Sequence, residues 1–156
     1  MAPKMTLIHL LLQGIPETMG ITAVALAFAN LQLNWRIIIA VGVIEGLTIY
    51  LIRLLPIPFG FHTILLMITL PVFIKVATRQ PFSSVLIRAG AIAVVIMAAV
   101  ELLVIWPLFK LLNLSVEEAN ANTALWIITG WPQVVVLFGV AWLKDRHRRK
   151  CQSVGL

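Results

Sequence analysis

Three of the six acidic residues, Glu17, Glu45 and Glu101, stand inside long apolar runs. An ionised carboxylate at the centre of a membrane helix costs roughly 2.5–3.5 kcal/mol on insertion scales, so it normally faces protein or water. Each of the three is therefore a candidate for holding a proton, a cation or a polar ligand. The competing reading for Glu45 is a structural pair with a hydroxyl or cation of a neighbouring helix. For Glu101 it is hydrogen bonding near the outer interface. Glu45 lies in Gly42-Val43-Ile44-Glu45-Gly46, where Gly42 and Gly46 form a small-xxx-small pattern that lets helices approach closely. Gln133 follows Gly130-Trp131-Pro132, one of three proline interruptions of apolar runs, with Pro16 and Pro71. Broken helices can line a midplane solute site, or they can be inert kinks whose freed carbonyls are satisfied by neighbours.

A second polar group brackets the turn Arg53-Leu54-Leu55-Pro56-Ile57-Pro58-Phe59-Gly60-Phe61-His62-Thr63. Two prolines stop the helix there and Gly60 supplies backbone freedom. Arg53 and His62 are expected to converge on one outward-facing site, where a histidine would titrate near neutral pH. The alternative is a rigid hairpin whose polar groups only cap helix ends. His9, His62 and His147 share no ligand spacing, so neither a metal site nor a cofactor is expected. No nucleophile–base pairing or phosphate-binding loop occurs, which argues against an enzyme.

These residues must be positioned by membrane helices. The 156-residue chain is 61% hydrophobic and 12% charged, with a mean hydropathy of +1.02. Soluble domains carry about 25% charged residues. Continuous runs such as Ile37-Ile38-Ile39-Ala40-Val41 lack the alternation of a transmembrane barrel. The fold class is thus all-α, a polytopic transmembrane helical bundle in the cell membrane, with membrane lipids as its surroundings. Five spans are expected: Met5–Leu33, Ile37–Leu55, Thr63–Thr78, Phe82–Phe109 and Thr123–Leu143. Pro16 and Gly14 suggest a kink in the first span, or else a short interfacial helix followed by a span. A signal peptide is opposed by Glu17 within the apolar core. Ser115 and Glu118 match a capping box for a short loop helix. Residues 1–143 form the helical domain and 144–156 a short basic cytoplasmic tail.

The net charge of +6 does not point to nucleic acid. Five of the twelve basic residues fall within Lys144–Lys150, after the last apolar run, where cytoplasmic positive charge belongs. That run serves as a topology anchor, with anionic-lipid recognition as the sharper alternative. Placing the C-terminus inside puts Arg36, Lys75, Arg79, Arg88 and the tail on the cytoplasmic side, and Lys4, Arg53 and Lys110 outside. Cys151 is the single cysteine, which excludes an intrachain disulfide.

Gln13-Gly14-Ile15-Pro16-Glu17, followed about 40 residues later by the Arg53–Thr63 turn, resembles the polytopic N-terminal region of sensor histidine kinases from spore-forming Gram-positive bacteria, of the quorum-sensing type. The resemblance covers roughly residues 5–75. It implies a membrane sensor that detects an external or lipid-borne signal and passes it to a cytoplasmic kinase. The chain given has no phosphoacceptor helices and no ATP-binding domain. The expectation is therefore a non-enzymatic signalling or interaction subunit, a stand-alone sensor module or the membrane part of a larger sensor. Its partner would be a membrane or cytoplasmic protein, or a second copy. A small transport or solute-binding subunit using the intramembrane carboxylates is the alternative.

Overall fold

The structure is a computed structural model describing residues 7–55, 61–81, 83–115, 118 and 122–154. Among these residues there is helix and no strand. We label five helices: α1 (Leu7–Phe28), α2 (Trp35–Arg53), α3 (Phe61–Thr78), α4 (Ser84–Leu111) and α5 (Thr123–Val154). Four of them, α1, α2, α4 and α5, are long and apolar enough to cross a membrane, as a multi-pass membrane protein requires. Five spans are expected from the sequence, the third of them short; the apolar part of α3, Thr63–Thr78, is indeed shorter than the four long helices.

Helix α1 is the centre of the bundle. Ile21 and Ala23 through Ala27 are at most 1% exposed, so α1 is covered on every side there. The sequence explains this directly. Alanines at 23, 25, 27 and 29 recur every second residue, and at 100° per residue such a series spreads around the helix instead of along one stripe. The helix is narrow all round and apolar all round, which is the signature of a buried helix. Helices α2, α4 and α5 pack directly on it, and α3 closes the arc between α2 and α4.

Both π-helical turns precede a proline. Leu10–Gly14 is π-helical and the Ile15 amide donates to the Leu10 carbonyl; Pro16 follows at once. Glu101–Ile105 is π-helical and the Trp106 amide donates to the Glu101 carbonyl; Pro107 follows at once. A proline has no amide hydrogen and its ring crowds the carbonyl four residues back. Widening the preceding turn makes room for that ring, so each helix passes its proline without a break. This decides between the two sequence readings of the first apolar stretch: it is one continuous helix, not an interfacial helix followed by a span. Pro71 is handled differently. Its ring fills the space left by Gly90 of α4, where an added Cβ would lie 2.7 Å from Pro71 Cγ.

Helix ends follow from local chemistry. The Asn34 side chain caps α2 by accepting from the Arg36 amide at 3.0 Å, and Asn122 caps α5 by accepting from the Ala124 amide at 3.0 Å. Asn30 and Asn113 take left-handed angles after α1 and α4. In each case the next amide reaches back to close the last turn, Leu31 to the Leu26 carbonyl and Leu114 to the Phe109 carbonyl. Arg79 takes the same angle after α3. The capping box is present: the Ser115 amide donates to Glu118 Oε2 at 2.8 Å and the Glu118 amide to Ser115 Oγ at 3.1 Å. The Ser115 amide and hydroxyl together hold the Glu118 carboxyl below its usual range.

The C-terminal segment departs from the expected separate tail. Helix α5 does not stop at Leu143 but runs on to Val154. Asp145 is buried and pairs with Arg148 at 2.5 Å and Arg149 at 2.8 Å. Arg148 also donates to the Asn30 carbonyl, at the C-terminal end of α1. A guanidinium there satisfies an orphan carbonyl and meets the negative end of the helix dipole. Part of the basic run is therefore a clamp between the first and last helices, beyond any anchoring role.

Gly42 tests how closely α1 and α2 are packed. An added Cβ would stand 2.8 Å from the Met19 Cα, a backbone atom that cannot rotate away. Gly139 on α5 has nothing within 4 Å of the same position. Gly42→Ala should destabilise the bundle by about 1–3 kcal/mol, the usual cost of overpacking. Gly139→Ala should be neutral or stabilising by up to about 1 kcal/mol. Unfolding in detergent micelles measures both, and equal effects from the two substitutions would contradict this packing.

Candidate functional site: a carboxylate and amide layer between the helices

The polar residues singled out in the sequence lie on different helices, and the fold brings most of them to one level. Helices α1 and α5 run parallel: Gln13 lies against Gly130, Gly20 against Leu137, and Asn30 against Arg148. Helices α1 and α2 run antiparallel, with Met19 against Gly42 and Ile15 against Gly46. A single layer therefore holds residues 13–18 of α1, 42–46 of α2, Thr69 of α3 and 130–133 of α5. Glu17, Glu45 and Gln133 each sit about 15 Å from the first residue of their helix at 1.5 Å per residue, near mid-depth.

On the α5 side, Gln133 Nε2 donates to Glu17 Oε1 at 3.0 Å. Gln13 and Glu17 are one helical turn apart on α1, and Gly130 and Gln133 are one turn apart on α5, so each pair shares a face. The Gln13 amide fits where Gly130 has no side chain, since an added Cβ would meet Gln13 Nε2 at 2.0 Å. Gln13 Oε1 is buried without a hydrogen-bond partner. Arg53 and Glu101 both lie close enough to Glu17 to act on it electrostatically. Both π turns thus sit beside this cluster: Gln13 and Gly14 belong to one, and Glu101 opens the other. Such turns often mark functional positions because they leave backbone carbonyls off the regular ladder.

On the α2 side, Glu45 is fully buried. Its Oε1 lies 2.5 Å from Thr69 Oγ1 of α3, and its Oε2 has no partner. Between the two carboxylates stands Thr18, buried, whose hydroxyl donates across the α1–α2 contact to the Gly42 carbonyl at 2.7 Å. That bond exists because Gly42 lets the backbones meet. Gly42 and Gly46 both lie against α1 of the same chain.

Of the residues expected at a site, Glu17, Gln133, Arg53 and Glu101 fall in one neighbourhood, and Glu45 lies across α1 from it. Glu101 is exposed on the lateral surface of α4. Gly60 and the His62 side chain lie outside the described residues, so Arg53 is placed by its proximity to Glu17 and not by His62. Gln13, Thr18, Thr69 and Gly130 were not singled out as site residues in the sequence. Only the i, i+4 spacing of Gln13 and Glu17 could have pointed to the first of them. Among the described residues no group of three or more His, Cys, Asp or Glu side chains is arranged to hold a metal.

No family model, curated protein or solved structure matches the chain.

The Glu17–Gln133 bond joins the central helix to the longest one. Removing its donor with Gln133→Ala should weaken the α1–α5 contact. Interhelical hydrogen bonds in membrane proteins are worth about 0.6 kcal/mol on average and up to about 1.7. The expected coupling in a cycle with Glu17→Gln is within that range. Additive losses from the two substitutions would show that the pair does not interact.

Proposed function

We propose that the chain is a non-enzymatic, multi-pass membrane module that receives a signal at its outer end or from the lipid and hands it to a cytoplasmic protein partner. The observation that carries this reading is α5, a single helix of 32 residues. At 1.5 Å per residue it is about 48 Å long. It runs from the outer end, through the polar layer at Gln133, to the basic cytoplasmic end. A change at the Glu17–Gln133 contact acts, beside Pro132, on one continuous helix whose far end is clamped to α1 by Arg148. The resemblance of the Gln13–Glu17 and Arg53–Thr63 segments to sensor histidine kinase membrane regions favours the same reading, with a kinase-type partner supplying the chemistry. A small transport or solute-binding subunit is the second reading, favoured by the acceptor-rich cluster of Gln13, Glu17 and Glu101.

In this reading α3 is the third of five crossings. The parallel course of α1 and α5 supports an odd number of passes, with the N-terminus outside and the C-terminus in the cytoplasm. Arg36, Lys75, Arg79, Arg88 and the basic end of α5 then share the cytoplasmic side. Cys151 is exposed and is the single cysteine. A membrane-impermeant maleimide should label it only after cells are permeabilised, while Asn122→Cys in a Cys151→Ser background should label in intact cells. Labelling of Cys151 in intact cells would reverse the topology.

The function itself is tested by gentle-detergent purification of the full chain with mass-spectrometric identification of what accompanies it. A histidine kinase or response regulator, lost on truncation after Leu143, is the expected outcome. An ATPase pair or a bound solute in its place would favour the transport reading.

A further inference from the structure

Glu45 is a fully buried carboxyl with one oxygen against a single hydroxyl and the other against no polar group. The Thr69 hydroxyl has one hydrogen and two oxygen neighbours, Glu45 Oε1 at 2.5 Å and the Leu65 carbonyl at 2.9 Å. The Leu65 carbonyl stands four residues back on the same helix. Thr22, Thr48, Thr78 and Thr129 of this chain donate to the carbonyl at that position, and Thr18 meets it too while lying closer to the Gly42 carbonyl. This is the ordinary bond of a helical threonine. One hydrogen cannot serve both acceptors at once; when it lies on the Leu65 carbonyl, a proton on Glu45 supplies the bond to Thr69 Oγ1.

The remaining oxygen agrees. Glu45 Oε2 is buried and unpartnered. An unpartnered carbonyl oxygen of a carboxylic acid is tolerable in an apolar interior, whereas an unpartnered carboxylate oxygen is not. The charged groups around it do not change this. Thr69 is the side chain that meets Glu45 by a hydrogen bond. From α1, Glu17 turns away to Gln133. On α2 itself, Arg36 and Arg53 are nine and eight residues distant, about 13 and 12 Å along the axis. On α3, Lys75 is six residues beyond Thr69, about 9 Å along its axis.

We propose that Glu45 is a proton-binding site, its carboxyl group holding a proton that it donates to Thr69 Oγ1 and so latching α2 to α3 at mid-depth. Loss of that proton to a base forces the Thr69 hydrogen to swing from the Leu65 carbonyl to the carboxylate. It also leaves a charge in the apolar interior, which loosens the α2–α3 contact. The site goes beyond the signalling reading and does not depend on it.

Infrared spectroscopy of the full chain in lipid nanodiscs tests the proposal. The wild type should show the carbonyl stretch of a protonated carboxyl at pH 7, where a solvent-exposed glutamate is ionised. That band should be lost in Glu45→Gln, kept in Glu17→Gln and Glu101→Gln, and shifted to higher frequency in Thr69→Val. A carboxylate signal for Glu45 at pH 7 would overturn the proposal. So would a protonated band that disappears when sodium replaces choline at constant pH, which would mark an alkali-cation site instead. If Glu45→Gln does not fold, an apolar carbodiimide, which attacks protonated carboxyls, can be used on the wild type. An adduct mapped to Glu45 that diminishes as pH rises is expected. Reaction at Glu17 with none at Glu45 would overturn the assignment.

Discussion

The bundle depends on one constraint: a helix buried on every side must be slim on every side. Helix α1 meets it with Gly20 and the alanines at 23, 25 and 27, and three helices close around it. In lipid there is no hydrophobic force drawing one apolar helix to another, so close van der Waals contact and interhelical hydrogen bonds have to hold the assembly. The approach of Met19 to Gly42 supplies the first, and the Thr18 hydroxyl on the Gly42 carbonyl supplies the second. The two are linked, because a side chain at position 42 would push the carbonyl out of reach.

Prolines ordinarily end helices, and this chain carries four inside its apolar runs without a break among the described residues. Two are absorbed by widening the turn before them, at Leu10–Gly14 and at Glu101–Ile105. One packs its ring into the gap at Gly90. The π turns have a second effect. They contain Gln13 and Glu101, so the backbone that accommodates each proline also carries a polar group of the Glu17 neighbourhood. Local strain relief and site construction are one structural event here.

The polar layer divides its work. Glu17 and Gln133 connect the centre of the bundle to the one helix that continues beyond the apolar region. Glu45 and Thr69 connect two further helices through a buried carboxyl that we propose holds a proton. A carboxyl that is neutral when latched and charged when released gives a membrane protein a two-state contact without any large rearrangement of its helices. The contacts of Arg148 with Asp145 and with the Asn30 carbonyl tie the C-terminal part of α5 to the end of α1.

Much of the architecture was legible in the sequence because it follows from composition and local chemistry. The apolar runs, the capping box at Ser115 and Glu118, the alanine-rich first span and the charge asymmetry need only neighbouring residues to be read. The candidates Glu17, Glu45, Glu101, Arg53 and Gln133 were legible for the same reason: an ionisable or amide group in an apolar run is costly wherever it sits. Which of them meet could not be read, because a contact such as Glu17 with Gln133 spans 116 residues and depends on α1 and α5 being parallel neighbours. Thr69 looked like one threonine among several until the fold set it against Glu45. The π turns were hidden because a proline in a helical run signals a break, and whether the backbone breaks or widens is decided by the helices packed around it. Length and hydropathy determined that this chain forms membrane helices; only tertiary packing decided which carboxyl found an amide and which found a hydroxyl, because partners are chosen by proximity in space.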